Sequence, residues 1–238
     1  MNRIDAQTLL VLMGKIATYV SFLPLIFSLI KIQAFRSKPY IYLSLYFATG
    51  ALLNWSVSVF VEYSGKHYEE IAHILTKYEI DDTFFVDPVY FIRNFIFMGL
   101  YAYALVEKKS LKDTILIISA TGILFTVLNS FWGETYKVYQ AIGSSVDNAF
   151  KIFIGGIIYY WIFSKLPAKK LWKIPHYWFA SAIITIGAFA GLIDFLSNYM
   201  FKEVSTVFYI VHIIKNCFMI LAFILFTIGI YFVRIKGK

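Results

Sequence analysis

The chain has 238 residues, of which 60% are hydrophobic and 20% aromatic, while only 15% are charged; an average soluble domain is about 45–50% apolar and about 25% charged. Its 22 Lys and Arg against 14 Asp and Glu give a net charge of +8, and Cys217 is the single cysteine. So little charge cannot coat so much apolar volume, and one cysteine makes no disulfide framework. A disordered chain, a fibre, a disulfide scaffold and a soluble globular domain are excluded, which leaves an integral membrane protein.

A helix that crosses a hydrocarbon core of ~30 Å needs about 20 mostly apolar residues. Seven stretches meet that condition in chain order: 7–32, 39–61, 89–106, 114–131, 139–163, 177–198 and 204–233. Pro24 falls inside the first and is expected to bend it, because it frees a carbonyl. Pro39, Pro88 and Pro175 stand at or near first helical positions, where a missing N–H costs nothing. Asp87 and Asp113 precede the third and fourth spans as capping residues. In the long loop 62–87, Tyr68, Ile71, Ala72, Leu75 and Tyr78 recur at helical spacing, with Glu69, Glu70 and Lys77 off that face. That pattern predicts a short amphipathic helix lying on the bilayer surface or closing over the bundle mouth as a lid. The first stretch is too long for a cleaved signal peptide, and no small-residue cleavage site follows it. The expected fold is all-α: a polytopic integral membrane protein, one seven-helix transmembrane domain over residues 1–238.

The loops set an orientation. The odd-to-even connections and the C-terminus carry Lys31, Arg36, Lys38, Lys108, Lys109, Lys112, Lys165, Lys169, Lys170, Lys173, Arg234, Lys236 and Lys238 against only Glu107 and Asp113. The other side carries Arg3, Lys66, Lys77, Lys137 and Lys202 against ten carboxylates. Cytoplasmic loops are the basic ones, so the N-terminus is expected outside and the C-terminus inside, in a multi-pass protein of the cell membrane. The basic stretches are short and flank spans, which argues against a nucleic-acid partner.

Ionisable groups within a span cost roughly 2.5–3.5 kcal/mol each on insertion scales, and six are present: Lys15, Arg93, Asp147, Lys151, Asp194 and Lys215. Ser144, Asp147, Asn148 and Lys151 share one face of the fifth helix at i, i+3, i+4 and i+7, and His212, Lys215 and Asn216 share one face of the seventh. Asn54 and Ser58 lie in the outer part of the second span, Asn94 follows Arg93, and Asn129 lies near the outer end of the fourth. On the sixth helix Gly187, Gly191 and Asp194 share a face, and the glycine spacing permits close helix approach. The inner halves of the spans are almost purely apolar. These positions converge on a polar, outward-opening cavity lined by the second, third, fifth, sixth and seventh spans, with Asn54, Arg93, Asn94, Asp147, Asn148, Lys151, Asp194, His212, Lys215 and Asn216 as candidate ligand-binding residues. Plainer roles compete. Asp147 and Lys151 can neutralise one another, Arg93, Asp194 and Lys15 can reach the outer headgroups, and Asn54 and Asn129 can bridge helices. Lys215, roughly 17 Å into its span at 1.5 Å per residue, is too deep to reach an interface and needs a carboxylate, a bound anion, a lowered pKa or a covalent adduct.

Motifs of known chemistry are lacking: no phosphate loop, nucleophile elbow or HExxH, no His/Cys/Asp/Glu spacing for a metal, and no internal repeat of the transporter kind. Nothing here supplies a catalytic residue. Seven spans, an outside N-terminus, a chain of this length and a lysine midway along the last helix resemble the microbial rhodopsins, whose seventh helix reads roughly DxxxKxxF. Lys215 and Phe218 match that motif and Arg93 is analogous to the family's third-span arginine, whereas Val211 replaces the aspartate, the Asp-Trp that follows the arginine is missing, and the sixth span lacks the Trp and Tyr-Pro of the retinal cage. The resemblance implies retinal on Lys215.

The residues taken by themselves imply no cofactor. They point to a binding or sensing protein whose cavity takes a small anionic or amphiphilic ligand, through the excess of Arg93, Lys151, Lys215 and His212 over Asp147 and Asp194. With few residues after Val233, a sensor is expected to signal through a cytoplasmic partner on the basic loops. A small-solute transporter or channel is the alternative, and a retinal protein the third reading.

Overall fold

The structure, a computed structural model, describes residues 5–80, 82–137, 139–165, 170–203 and 205–234, with backbone alone at 192, 195, 196, 198, 199, 201–203, 205 and 206. Arg3, Asp81, Lys169, Lys236, Lys238 and Val204 (the expected start of the last span) lie outside the described residues, as do the side chains of Lys202 and Glu203.

The described chain is all-helical: α1 (Ala6–Val20), α2 (Phe22–Ile30), α3 (Lys38–Lys66), α4 (Tyr68–Tyr78), α5 (Asp87–Leu105), α6 (Lys109–Trp132), α7 (Ala141–Lys165), α8 (Pro175–Glu203) and α9 (Ser205–Phe232). Five stretches are long and apolar enough to cross a membrane: Ala6–Ile30, Lys38–Lys66, Lys109–Trp132, Ala141–Lys165 and Val207–Phe232. The break between α1 and α2 falls at Ser21, one turn before Pro24. Proline has no N–H for the Val20 carbonyl and its ring crowds that group. Pro39 and Pro88 sit in the first turns of α3 and α5, and Pro175 opens α8.

Neither acidic cap forms. α6 begins at Lys109, four residues before Asp113, and α5 begins at Asp87 itself with no side-chain cap. Glu134 does cap a helix: its carboxylate accepts from Ile142 N and Gly143 N of α7 at 2.9–3.0 Å, and from Asn129 Nδ2 at 3.0 Å. A carboxylate there meets the positive end of the helix dipole.

Around the molecule α1 and α2 pack on α9 and α3, α3 on α5, α5 on α6 and α7, α7 on α8, and α8 on α9, closing a ring with α6 outside the α5–α7 seam. The ring is locked at the end bearing the basic loops. There Lys31 Nζ donates to the carbonyls of Ile230, Tyr231 and Val233 at 3.2, 2.5 and 3.2 Å, supplying donors to helix-end carbonyls that have no partner within α9. The same half of the bundle holds the apolar core, with Leu43, Met98, Ile154, Ile158, Ile162, Phe179, Ile183, Phe226 and Ile230 almost fully buried. His176, just before the expected sixth span (177–198), is the second residue of α8. Its Nδ1 meets Tyr101 Oη at 2.7 Å, its Nε2 meets Tyr40 Oη at 3.4 Å, and its ring stacks on Tyr40. A half-polar ring suits the position where helix ends give way to the core.

The loop helix forms as expected. α4 turns Ile71, Ala72 and Leu75 inward against α3 and leaves Tyr68 and Tyr78 exposed. Its end is tied to the loop before α7 by Lys137 Nζ, which donates to Glu79 Oε2 at 2.5 Å, and that hydrogen bond raises the Lys137 pKa.

Candidate functional site

In the half of the bundle opposite the core, α7 presents Ser144, Asp147, Asn148 and Lys151 as one buried face. Lys151 Nζ donates to Asp147 Oδ2 at 2.5 Å and to Asn148 Oδ1 at 3.0 Å. From α5, Asn94 Nδ2 donates to both Asp147 oxygens at 2.9 and 3.0 Å. On the other flank Asp194 of α8 accepts from Ser144 Oγ at 2.5 Å and Asn148 Nδ2 at 2.9 Å, and pairs with Lys215 of α9. A continuous polar row therefore runs Asn94–Asp147–Lys151–Asn148–Asp194–Lys215 across four helices. The row is possible because α8 comes very close to α7. A Cβ added at Gly187 would lie 2.8 Å from the Asn148 carbonyl oxygen, and one at Gly191 would lie 3.3 Å from Asn148 Cβ. Small residues set this spacing.

The row forms one wall of a cavity of about 260 Å³. α3 contributes Tyr46, Gly50 and Asn54; α5 contributes Asp87, Tyr90, Arg93 and Asn94; Ser21, at the break in the first helix, also reaches it. Eight of the ten candidate residues line this cavity: Asn54, Arg93, Asn94, Asp147, Asn148, Lys151, Asp194 and Lys215. His212 and Asn216 do not. His212 Nε2 meets Ser197 Oγ at 3.1 Å, beside the Phe208 ring, and Asn216 faces α1 at Gly14. One helical turn separates His212 from Lys215, and about 100° of rotation separates Asn216 from it, so each meets a different neighbour. Among the other polar groups, Lys15 is exposed on α1, and Asn129 serves Glu134 rather than the cavity. No residue of α4 lines the cavity; α4 borders a separate groove with Phe60 and Ser64 of α3. The lid expectation therefore gains no support.

The electrostatics differ from the expected positive excess. Lys151 and Lys215 are each neutralised by an aspartate, and Asp87 joins the lining. Arg93 takes part in no ion pair or hydrogen bond among the described residues, and its Nε is buried without a partner. Its guanidinium lies over the Tyr46 ring at 4.2 Å and near that of Tyr90 at 5.6 Å, an arrangement that holds a cation without discharging it. Gly50 makes the seat, since a Cβ there would stand 2.8 Å from Arg93 Nη1. Tyr90 Oη donates to Asn54 Oδ1 at 2.7 Å. Asp87 went unrecognised as a lining residue, although Asp87, Phe91 and Asn94 stand at i, i+4 and i+7 and all line the cavity. Its position at a helix start suits a cap equally well, which hides its place on that face. The described residues hold no cluster of His, Cys, Asp or Glu suited to a metal. The chain matches no family model, no curated protein and no solved structure.

Proposed function

We propose that the chain is a seven-span protein of the cell membrane, N-terminus outside and C-terminus cytoplasmic, that binds a small anionic or amphiphilic ligand in this cavity. The seven-span count draws support from α5 and α8, which at 19 and 29 residues reach about 28 Å or more at 1.5 Å per residue and sit within the closed ring. The orientation rests on the basic loops. The observation that carries the ligand is Arg93, a half-buried guanidinium in a fitted seat that forms no ion pair or hydrogen bond among the described residues. An arginine fork matches carboxylate and phosphate. The tightly packed core beneath the cavity, where Met98, Ile154, Ile158 and Ile183 are almost fully buried, favours binding over conduction. A binder of this form would signal through a partner on its basic loops.

The test uses the purified full chain with butyrate, octanoate and inorganic phosphate as probes. At least one anion is expected to raise the thermal midpoint, and Arg93→Gln is expected to weaken its binding about 10- to 100-fold, the range for a hydrogen bond to a charged group. Unchanged anion shifts in Arg93→Gln would overturn the reading. In the competing reading, retinal bound to Lys215, the paired Asp194 would serve as counter-charge. Adding all-trans-retinal is expected to give no visible band that hydroxylamine bleaches; a Lys215-dependent band would favour retinal instead.

A further inference from the structure

The cavity holds a second unpaired ionisable group, the carboxyl of Asp87. Asp87 lines it half-buried, and its carboxyl makes no hydrogen bond or ion pair among the described residues. It lies within electrostatic reach of Lys215, Asp194 and Asp147, but Lys215 is already bonded to Asp194. Two turns further along α5, about 10 Å at 1.5 Å per residue, Asn94 Oδ1 is buried and has no donor, because its Nδ2 is committed to Asp147. Asn94 is 5% exposed. An orphaned buried acceptor calls for a donor the protein does not supply. The lining thus divides. On the α3 side a guanidinium lacks an acceptor; along the α5 face that carries Asp87 and Asn94, a carboxylate and an amide oxygen lack donors.

These are two halves of one recognition problem. A purely anionic ligand would satisfy Arg93 but would face Asp87 as a like charge and leave Asn94 Oδ1 orphaned. A purely cationic one would meet the reverse. We infer that the ligand is a small zwitterion, an amino acid or ω-amino acid, with its acid group on the Arg93 guanidinium and its ammonium toward Asp87 and Asn94 Oδ1. A cavity of about 260 Å³ has room for a molecule of a few carbons. The two internal ion pairs, Lys151–Asp147 and Lys215–Asp194, line the same cavity as neutral units. This inference rests on the ligand-binding reading above and narrows its chemistry.

Three probes of equal chain length separate the possibilities: 4-aminobutyrate, butyrate and butylamine, measured calorimetrically on the full chain in detergent, with glycine and 6-aminohexanoate varying the charge separation. One ω-amino acid is expected to bind at least about 10-fold tighter than butyrate or butylamine, as a second charge-assisted contact adds to the first. Asp87→Asn is expected to remove about 10-fold or more of the zwitterion's affinity and to leave butyrate unweakened; Arg93→Gln weakens both. If butyrate binds as tightly as every zwitterion, or if Asp87→Asn leaves all probes unchanged, the zwitterion is overturned while anion binding at Arg93 stands. If no probe binds and the anion panel also gives no shift, both fall. Should Asp87→Asn fail to fold, the wild-type ranking of the three four-carbon probes decides alone.

Discussion

Lys151→Met is expected to destabilise the protein by about 3–5 kcal/mol, the range for removing one partner of a buried ion pair. Asp147 is 1% exposed, and without Lys151 its charge would keep only the single amide group of Asn94. The loss is therefore dominated by a stranded carboxylate and much less by the attraction that disappears. It follows that the double variant Asp147→Asn/Lys151→Met should recover most of the loss, because no buried charge is then left over. Lys215→Met makes an informative partner. It also strands a carboxylate, but Asp194 keeps donors from both Ser144 and Asn148, so its cost should be smaller than that of Lys151→Met. Denaturant or thermal unfolding of the purified variants, with the exposed Lys15→Met as reference, measures all four. A Lys151→Met variant no weaker than Lys15→Met would show that Asp147 does not depend on this lysine.

The second large effect is steric. Gly187→Ala places its new carbon 2.8 Å from a main-chain oxygen, 3.0 Å from Lys151 Cβ and 3.1 Å from Ile152 Cγ1. None of these is the free end of a flexible side chain, so relief requires α7 and α8 to part. Overpacking of this kind costs about 1–3 kcal/mol, and larger residues at 187 should cost more. Separation would also stretch the Asn148–Asp194 hydrogen bond, so ligand affinity should fall along with stability. Gly156 provides the contrast: a Cβ there meets nothing within 4 Å, and Gly156→Ala should be neutral or stabilising by up to about 1 kcal/mol through helix propensity. Equal midpoints for the two alanine variants would refute the close-packing account.

Much of this arrangement was legible in the sequence, because helical periodicity reports which residues of one helix share a face. The α7 row, the Gly187–Gly191–Asp194 face and the amphipathic α4 follow from that periodicity, and the kink near Pro24 from proline's missing N–H. Periodicity does not report which neighbour a face meets. His212 and Asn216 were grouped with Lys215 for that reason, although the structure gives them to Ser197 and to α1. His176 lay beyond the reach of the pattern, because its partners Tyr40 and Tyr101 come from helices distant in sequence. Asp87 was misjudged because a residue at a helix start has an obvious local use, and that use concealed its place on the α5 face.

The lysine that caps α9 carries a consequence for how the molecule is assembled. Lys31 meets carbonyls 199, 200 and 202 residues further along the chain. During synthesis from the N-terminus, the ammonium has no such partner until the final turn of α9 emerges. Every earlier helix can pack on its predecessors, but the circuit stays open, with the flanks of α1 and α2 available to other proteins or to lipid. Closure of the ring through Lys31 therefore waits on residues 230–233, and a chain that stops short of them lacks this latch.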